Sequence, residues 1–485
     1  MRRVLLLIID SLNPEALREC LNKDTVPAMA FLAKNGLLSN AVATFPTMTP
    51  VALASIATGF HCDVHHVPGF IWYDTKNARY VNYGASLRSI LTFGPARAFK
   101  ELFYNLNDKH LNPAVKTIYE ELYEQGVASA CINFFIRRGG KKILPNFHWL
   151  MKIFQAFGLE RRLIAGPDIL IWGEVANPGD KVYRGFPRGI FNKFGVNDHF
   201  SAEATCQLIR DKTLPQFTLT YFPDNDRYSH VHGPRSSHAS IEAVDKGIGR
   251  ILSAFGSWEE ALRENHIIVT GDHTQSFIGR HNIVKLDKLL QNFRLAPGKF
   301  SFGRNPQLVV SANERMTIID ILDCELAISQ VVSKLKTEQN IGLIMWKADN
   351  AYHTYNEGKE LSFFKEGPLQ DRYGVSWGYK GDLAAVGGHL KDTRINFGVY
   401  PDAFERIAAA LDYGTEAKIL LSATVGWEYS MPGAPIHPGG GSHGSLHSSD
   451  SVVPIISAGL DTVFTGKRLI DIKEHVLKFF TKNRD

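Results

Sequence analysis

Residues 4–10 read VLLLIID, six consecutive apolar side chains closed by a carboxylate. The run is too short to cross a bilayer and has no helical period. It therefore predicts a strand buried on both faces, with Asp10 at its carboxyl end. Apolar runs at 128–133, 217–222, 266–270 and 452–456 have the same character, and amphipathic helical patterns at 113–124 and 238–255 lie among them. That alternation predicts an α/β fold with a mostly parallel sheet between helices. In such sheets ligands bind beyond the carboxyl ends of the strands, and Asp226 and Asp272, like Asp10, come shortly after a predicted strand.

With 485 residues the chain is long enough for a large core and a second lobe. Hydrophobic residues at 44% and charged residues at 21% are those of an ordinary globular enzyme. The formal charge of +5 is dispersed, with no basic run of the kind that tracks a nucleic-acid polymer, so a small-molecule partner is expected. Met1-Arg2-Arg3 and the apolar run imitate a signal peptide, but the run is short and no small-residue cleavage site follows Asp10. No apolar stretch is long enough for a transmembrane helix. Cys20, Cys62, Cys131, Cys206 and Cys324 form no CxxC pair, which argues against a disulfide framework and against a thiolate zinc site. A cytoplasmic location is expected; the sequence is silent on oligomeric state.

Strand signals at 307–311, 341–346 and 395–400, with helices near 319–336 and 403–411, predict an inserted α+β lobe over 280–416. The catalytic core then comprises 1–279 and 417–485, rejoined near 418–422, with smaller insertions at about 74–111 and 138–200. The segment 431–444, MPGAPIHPGGGSHG, reads as a loop, and 470–482, IDIKEHVLKFFTK, as an amphipathic helix on the core. The basic-aromatic stretch 147–162, FHWLMKIFQAFGLERR, reads as a helix facing core or lobe rather than lipid.

Three aspartates and three histidines, spread over short blocks, suit two divalent ions. Asp272-His273 follows a predicted strand and offers two ligands to one ion. Asp226 and His230 are four residues apart, hence on one side of a helical turn; Asp224 competes for the carboxylate role or supports it from behind. His443 lies among glycines that let the backbone approach closely, with His437 and His447 as alternatives. Thr49-Pro50 opens a helix that Gly59 ends, so Thr49 is expected to cap it. A threonine at a helix N-terminus is also well placed to attack a phosphoryl group; Thr47, Ser11 and Thr44 are its rivals. His61, His65 and His66 are read as structural or pocket-lining, and His232 and His238 as surface residues or as supports behind the ligands.

The order Asp10, Thr49, Asp226-x-x-x-His230, Asp272-His273, His443-Gly444 resembles the alkaline phosphatase superfamily, in its type I phosphodiesterase and nucleotide pyrophosphatase branch. FPTMTPVALASIATG is similar to the nucleophile segment of that branch, and DRYSHVHGP to its Asp-x-x-Gly-His-x-x-Gly-Pro block. The resemblance implies an alkaline-phosphatase-like core and two divalent ions. Asp10, Thr49, Asp272 and His273 would bind one, and Asp226, His230 and His443 the other. Mixed Asp/His ligation suits zinc best, with manganese or iron as alternatives. The implied reaction is hydrolysis of a phosphodiester or nucleotide-like substrate through a covalent phosphothreonine at Thr49. Two positions depart from the branch pattern: Phe70 stands where an asparagine holds a phosphoryl oxygen, and Ser229 replaces the glycine before His230. Region 280–416 adds nothing to the resemblance.

Phe60, Phe70, Trp72 and Tyr73 predict an aromatic wall near Thr49, with Phe70 and Tyr73 as substrate contacts, which favours a diester over a monoester. The competing expectations are a phosphomonoesterase or phosphomutase of the same superfamily, a phosphonate C–P hydrolase, and a non-catalytic phosphate- or lipid-binding protein. A sulfatase is disfavoured, because TMTPVALAS lacks the modifiable Cys or Ser motif.

Overall fold

The computed structural model describes residues 2–84, 94–145, 161–176, 189–296, 305–415 and 417–482. Most of the basic-aromatic stretch, and parts of both smaller insertions, lie outside the described residues.

Seven strands form the central sheet, in the order Gly36–Val42, Val452–Ala458, Asn265–Gly271, Arg3–Ile9, Phe217–Phe222, Ser129–Ile132 and Ile169–Ile171. From Asn265–Gly271 onward every neighbouring pair is parallel; Val452–Ala458 runs antiparallel to both its neighbours. Arg3–Ile9 is central, which explains its unbroken apolar run. Val4, Leu6 and Ile8 enter one core with helices Thr49–Thr58 and Asp471–Lys482. Leu5, Leu7 and Ile9 enter another with helices Pro14–Asn22, Pro27–Lys34 and His238–Ser253. Each fully buried Leu or Ile contributes about 1.5–3 kcal/mol, so this strand is held from both sides.

Register fixes the site. Ile9 is level with Phe222 on one side and Gly271 on the other. Asp10 and Asp272, each the next residue, therefore leave the sheet side by side, and the helix Asp224–His232 starts just past Phe222. This is the strand-end crevice expected of a parallel sheet.

The inserted lobe is built on a second, nine-stranded sheet that runs from Leu308–Asn313 through Met316–Ile321, Lys418–Ala423, Ile341–Ala348 and Ala351–Asn356 to Lys359–Asp371 and its partners. Two expectations need correction. Residues 316–321 form a strand, and helix is confined to Ile328–Leu335, because the β-branched run TII pairs edge to edge with Leu308–Asn313. The chain also does not rejoin the core at 418–422. KILLSA is a buried strand of the lobe sheet between Met316–Ile321 and Ile341–Ala348, and the pairing of Ile283–Lys285 with Glu428–Ser430 carries the lobe to residue 430. A short apolar run states that a strand is buried, not which sheet buries it. Among the described residues, no helix is long and apolar enough to cross a membrane.

Candidate active site

His273 Nε2 is the centre of the first group. It lies 3.0 Å from Thr49 Oγ1, 3.5 Å from Asp10 Oδ1 and 3.6 Å from Asp272 Oδ2. Asp272 is oriented by two backbone donors: Ser11 N–H and His273 N–H both donate to Oδ1, at 3.1 and 3.0 Å. Its other oxygen, and Asp10 Oδ1, are buried with no hydrogen-bond partner. Orphaned carboxylate oxygens are costly in a protein interior. Burial, then the neighbouring Asp272 and Asp226 carboxylates, pushes Asp10 well above the usual carboxylate range. Burial likewise pushes Asp272 up to about 7, with Asp226 adding to it against the backbone donors. Two buried aspartates facing one imidazole nitrogen fit a bound cation. The separations are near the roughly 3.3 Å expected between tetrahedral ligands about 2.0–2.1 Å from a metal.

The second group adjoins the first. Asp226 Oδ2 is 3.2 Å from His230 Nε2, and Oδ1 is 3.7 Å from His443 Nε2. His230 Nδ1–H donates to Gly441 O at 2.8 Å and His443 Nδ1–H to Thr47 O at 2.7 Å. Each bond leaves Nε2 turned toward Asp226, as the atom that would meet a metal ion. Burial would raise the Asp226 carboxyl, but His230, His443 and His273 outweigh it and hold the group far below its usual range. Burial would likewise lower His230, but Asp226 and Glu314 outweigh it and raise the ring to about 10. The His273 and His443 rings stack at 3.9 Å and join the two groups.

All seven expected ligands thus converge. Thr49 does so differently from its expectation. Met48 holds the cap position, without a side-chain bond, and Thr49 is the first helical residue, its hydroxyl turned to His273. The rivals are engaged elsewhere: Thr47 donates to Ser445 O and accepts from Gly444 N–H, and Thr44 pairs with His61. Ser11 Oγ is 3.4 Å from His273 Nδ1, behind the ring. Asp224 points away, to Lys193 Nζ at 2.5 Å and the Asp198 amide. His65 pairs with Ser55, His238 with Glu19, and His232 lies tilted against Tyr228.

Sequence reasoning missed two residues. Gln275 Nε2 donates to Asp226 Oδ1 at 2.7 Å, fixing the carboxylate; its place two residues after His273 was the only cue. Glu314, from the region 280–416 that adds nothing to the family resemblance, lies 3.6 Å from His443 Nε2 and 4.0 Å from His230 Nε2. His443, His437 and His230 outweigh its burial and hold it at about 2. No local pattern could have marked a lone Glu in a hairpin turn.

The four aromatic residues have different surroundings. Phe70 is half-buried, and its backbone N–H donates to the Asn313 side chain at 2.9 Å. Tyr73 stacks edge-on against Tyr80, and with Trp72 it lines a cavity of about 350 Å³ whose walls include none of the seven ligands. Phe60 is exposed beside Lys473.

The chain is similar in fold to murine ectonucleotide pyrophosphatase/phosphodiesterase 5, at TM-score 0.58 and 12% identity, over 99% of this chain and 95% of that one. The human counterpart gives the same figures. Phosphonoacetate hydrolase from Sinorhizobium meliloti 1021 is similar at TM-score 0.56 and 15% identity, over 98% of this chain and 95% of that one. These likenesses show the alkaline-phosphatase-like fold. No curated protein matches the chain. Residues 4–355 match the model of type I phosphodiesterase / nucleotide pyrophosphatase, and the chain belongs to that family.

Proposed function

We propose that this phosphoester hydrolase cleaves small phosphodiesters, nucleotide-like ones included, with Thr49 as nucleophile and two divalent ions held by the two groups. The observation that carries the reading is the convergence of Thr49 Oγ1, Asp10 Oδ1 and Asp272 Oδ2 on His273 Nε2. Zinc suits this mixture of carboxylate and imidazole best. When bound, the ions supply positive charge that favours the ionised hydroxyl and the departing oxygen.

Thr49 Oγ1 attacks phosphorus, the bond to the leaving alkoxide breaks, and a phosphothreonine forms that still carries the substrate's second ester group, so that the product water releases is a phosphomonoester. Water then attacks phosphorus, and Thr49 leaves with its oxygen. Asp10, Asp272 and His273 keep the hydroxyl in line, while Gln275 holds Asp226 toward His443. Among similar structures, one of the murine protein is described as inactive and in complex with AMP, which supports a nucleotide-like substrate here. All five cysteines are free, in keeping with a reducing cytoplasm.

The test is turnover of bis-p-nitrophenyl phosphate against p-nitrophenyl phosphate with zinc or manganese, for wild type and Thr49→Ala. Diester preference that collapses in Thr49→Ala is expected. Monoester preference would replace the reading with a phosphatase or mutase. Turnover of phosphonoacetate alone, the substrate class of the similar hydrolase, would replace it with C–P cleavage. Bound metal without turnover of any of the three would replace it with a binding role.

A further inference from the structure

Glu314 occupies, with Arg315, the two-residue turn between strands Leu308–Asn313 and Met316–Ile321 of the inserted lobe. It is only 4% exposed and holds a left-handed φ of 57°, unfavourable for a non-glycine residue. The turn is pinned to the core. Arg315 N–H donates to His443 O, Tyr429 N–H to Glu314 O, and the Arg315 guanidinium is paired with Asp450, both side chains fully buried. His443 N–H and Ser442 Oγ–H both donate to Glu314 Oε2, at 3.2 and 3.1 Å.

So held, the carboxylate faces the two ring nitrogens that Asp226 also faces. Oε2 is 3.6 Å from His443 Nε2 and Oε1 is 4.0 Å from His230 Nε2. These gaps are too long for hydrogen bonds but suit neighbours around one ion. Behind it, His437 Nδ1 is buried without a hydrogen bond, 3.5 Å from Glu428 Oε2 and 3.8 Å from Glu314 Oε2, and its ring stacks on His230 at 4.0 Å.

We infer that Glu314 is a fourth protein ligand of the ion held by Asp226, His230 and His443. The inference rests on the two-ion reading above. It gives that ion four protein ligands, as many as Asp10, Thr49, Asp272 and His273 would give the other. It also changes the charge. Three aspartates leave one positive charge on two divalent ions, and Glu314 cancels it. In going from one positive charge to none the site loses more attraction for a dianionic monoester than for a monoanionic diester. The lobe thereby sets substrate charge through one side chain.

The test is equilibrium dialysis against buffered zinc, with metal counted by mass spectrometry, for wild type, Glu314→Gln and Glu314→Asp. Wild type should bind two ions. In Glu314→Gln one of them should weaken by about ten- to a hundred-fold, with an intermediate loss in Glu314→Asp. The zinc-dependent rise in Tm should shrink. At zinc levels filling both sites, the ratio of bis-p-nitrophenyl phosphate to p-nitrophenyl phosphate turnover should fall several-fold in Glu314→Gln. Two ions bound with unchanged affinity in Glu314→Gln would overturn the inference, as would lower melting in chelator without loss of zinc affinity. An unchanged turnover ratio would overturn the charge argument. Fewer than two ions in wild type would bring down the two-ion reading and this inference together, whereas two ions without diester turnover would leave Glu314 as a ligand and bring down only the reaction.

Discussion

Thr49 Oγ1 and His273 Nε2 are 3.0 Å apart although 224 residues separate them in the chain. Thr49 rides on a helix buried along its whole length, and His273 stands just past a central strand. Neither can retreat without disturbing a core. Replacing Thr49 with Ala should lower diester kcat by about a thousand-fold or more, whereas Thr49→Ser should keep a measurable fraction. Acid-quenched turnover of a labelled diester should leave the phosphoryl group with its remaining ester substituent on wild type and Thr49→Ser, read by intact mass. An equal rate in Thr49→Ala would end the nucleophile assignment.

Local pattern carried much of this site. Asp10 and Asp272 were legible because apolar runs announce strands, and parallel sheets gather strand ends. Asp226 and His230 were legible because a four-residue spacing on a helix is geometry in itself. Glu314 was not, since it reaches the site through a turn of another sheet, and sequence distance hides that approach. Residues 418–423 were misassigned for a related reason: KILLSA satisfies the lobe sheet as well as it would the core. The pairing of Ile71–Asp74 with Arg79–Asn82 sets Tyr73 against Tyr80, a contact that sequence spacing does not announce.

The unpartnered oxygens of Asp10 and Asp272 predict a stability linked to metal. Zinc at a hundred times its dissociation constant should stabilise the fold by about 2.7 kcal/mol, seen as a rise in Tm that chelator reverses. Asp272→Asn removes one member of a buried carboxylate pair. Its chelated form should melt no lower than chelated wild type, and the zinc-dependent rise should shrink. A full rise in that variant would remove Asp272 from the ligand set.

Arg315 and Asp450 are a fully buried pair that ties the lobe turn to the core. Asp450 also accepts from Ser445 N–H at 2.9 Å and Ser276 Oγ–H at 2.6 Å. Asp450→Asn should destabilise by about 3–5 kcal/mol, because it leaves a buried guanidinium without its counter-charge. Urea unfolding measures this; a loss under about 1 kcal/mol would show that the guanidinium finds other partners.

Asp402 predicts a pH dependence remote from the ligands. It is 1% exposed, neither carboxylate oxygen has a hydrogen-bond partner, and Arg468 Nη1 stays 3.9 Å away. Burial pushes its carboxyl up to about 7, with Asp371 and Glu405 adding to the rise, while Arg468 and Arg406 oppose it. The folded state therefore holds this proton more tightly than the unfolded chain, where the usual value is about 3.9. Its contribution to stability is fully present below about pH 4. It is lost as the pH climbs to about 7, by an amount on the order of 3–4 kcal/mol. Asp402→Asn keeps the shape and cannot ionise, so its Tm should change less between pH 5 and pH 8 than that of wild type. The buried Arg406 should tolerate the change, since it already donates to the carbonyls of Pro401, Leu446 and Thr44. Parallel pH profiles for the two proteins would mean that Asp402 is already ionised in the fold, held so by Arg468 and Arg406.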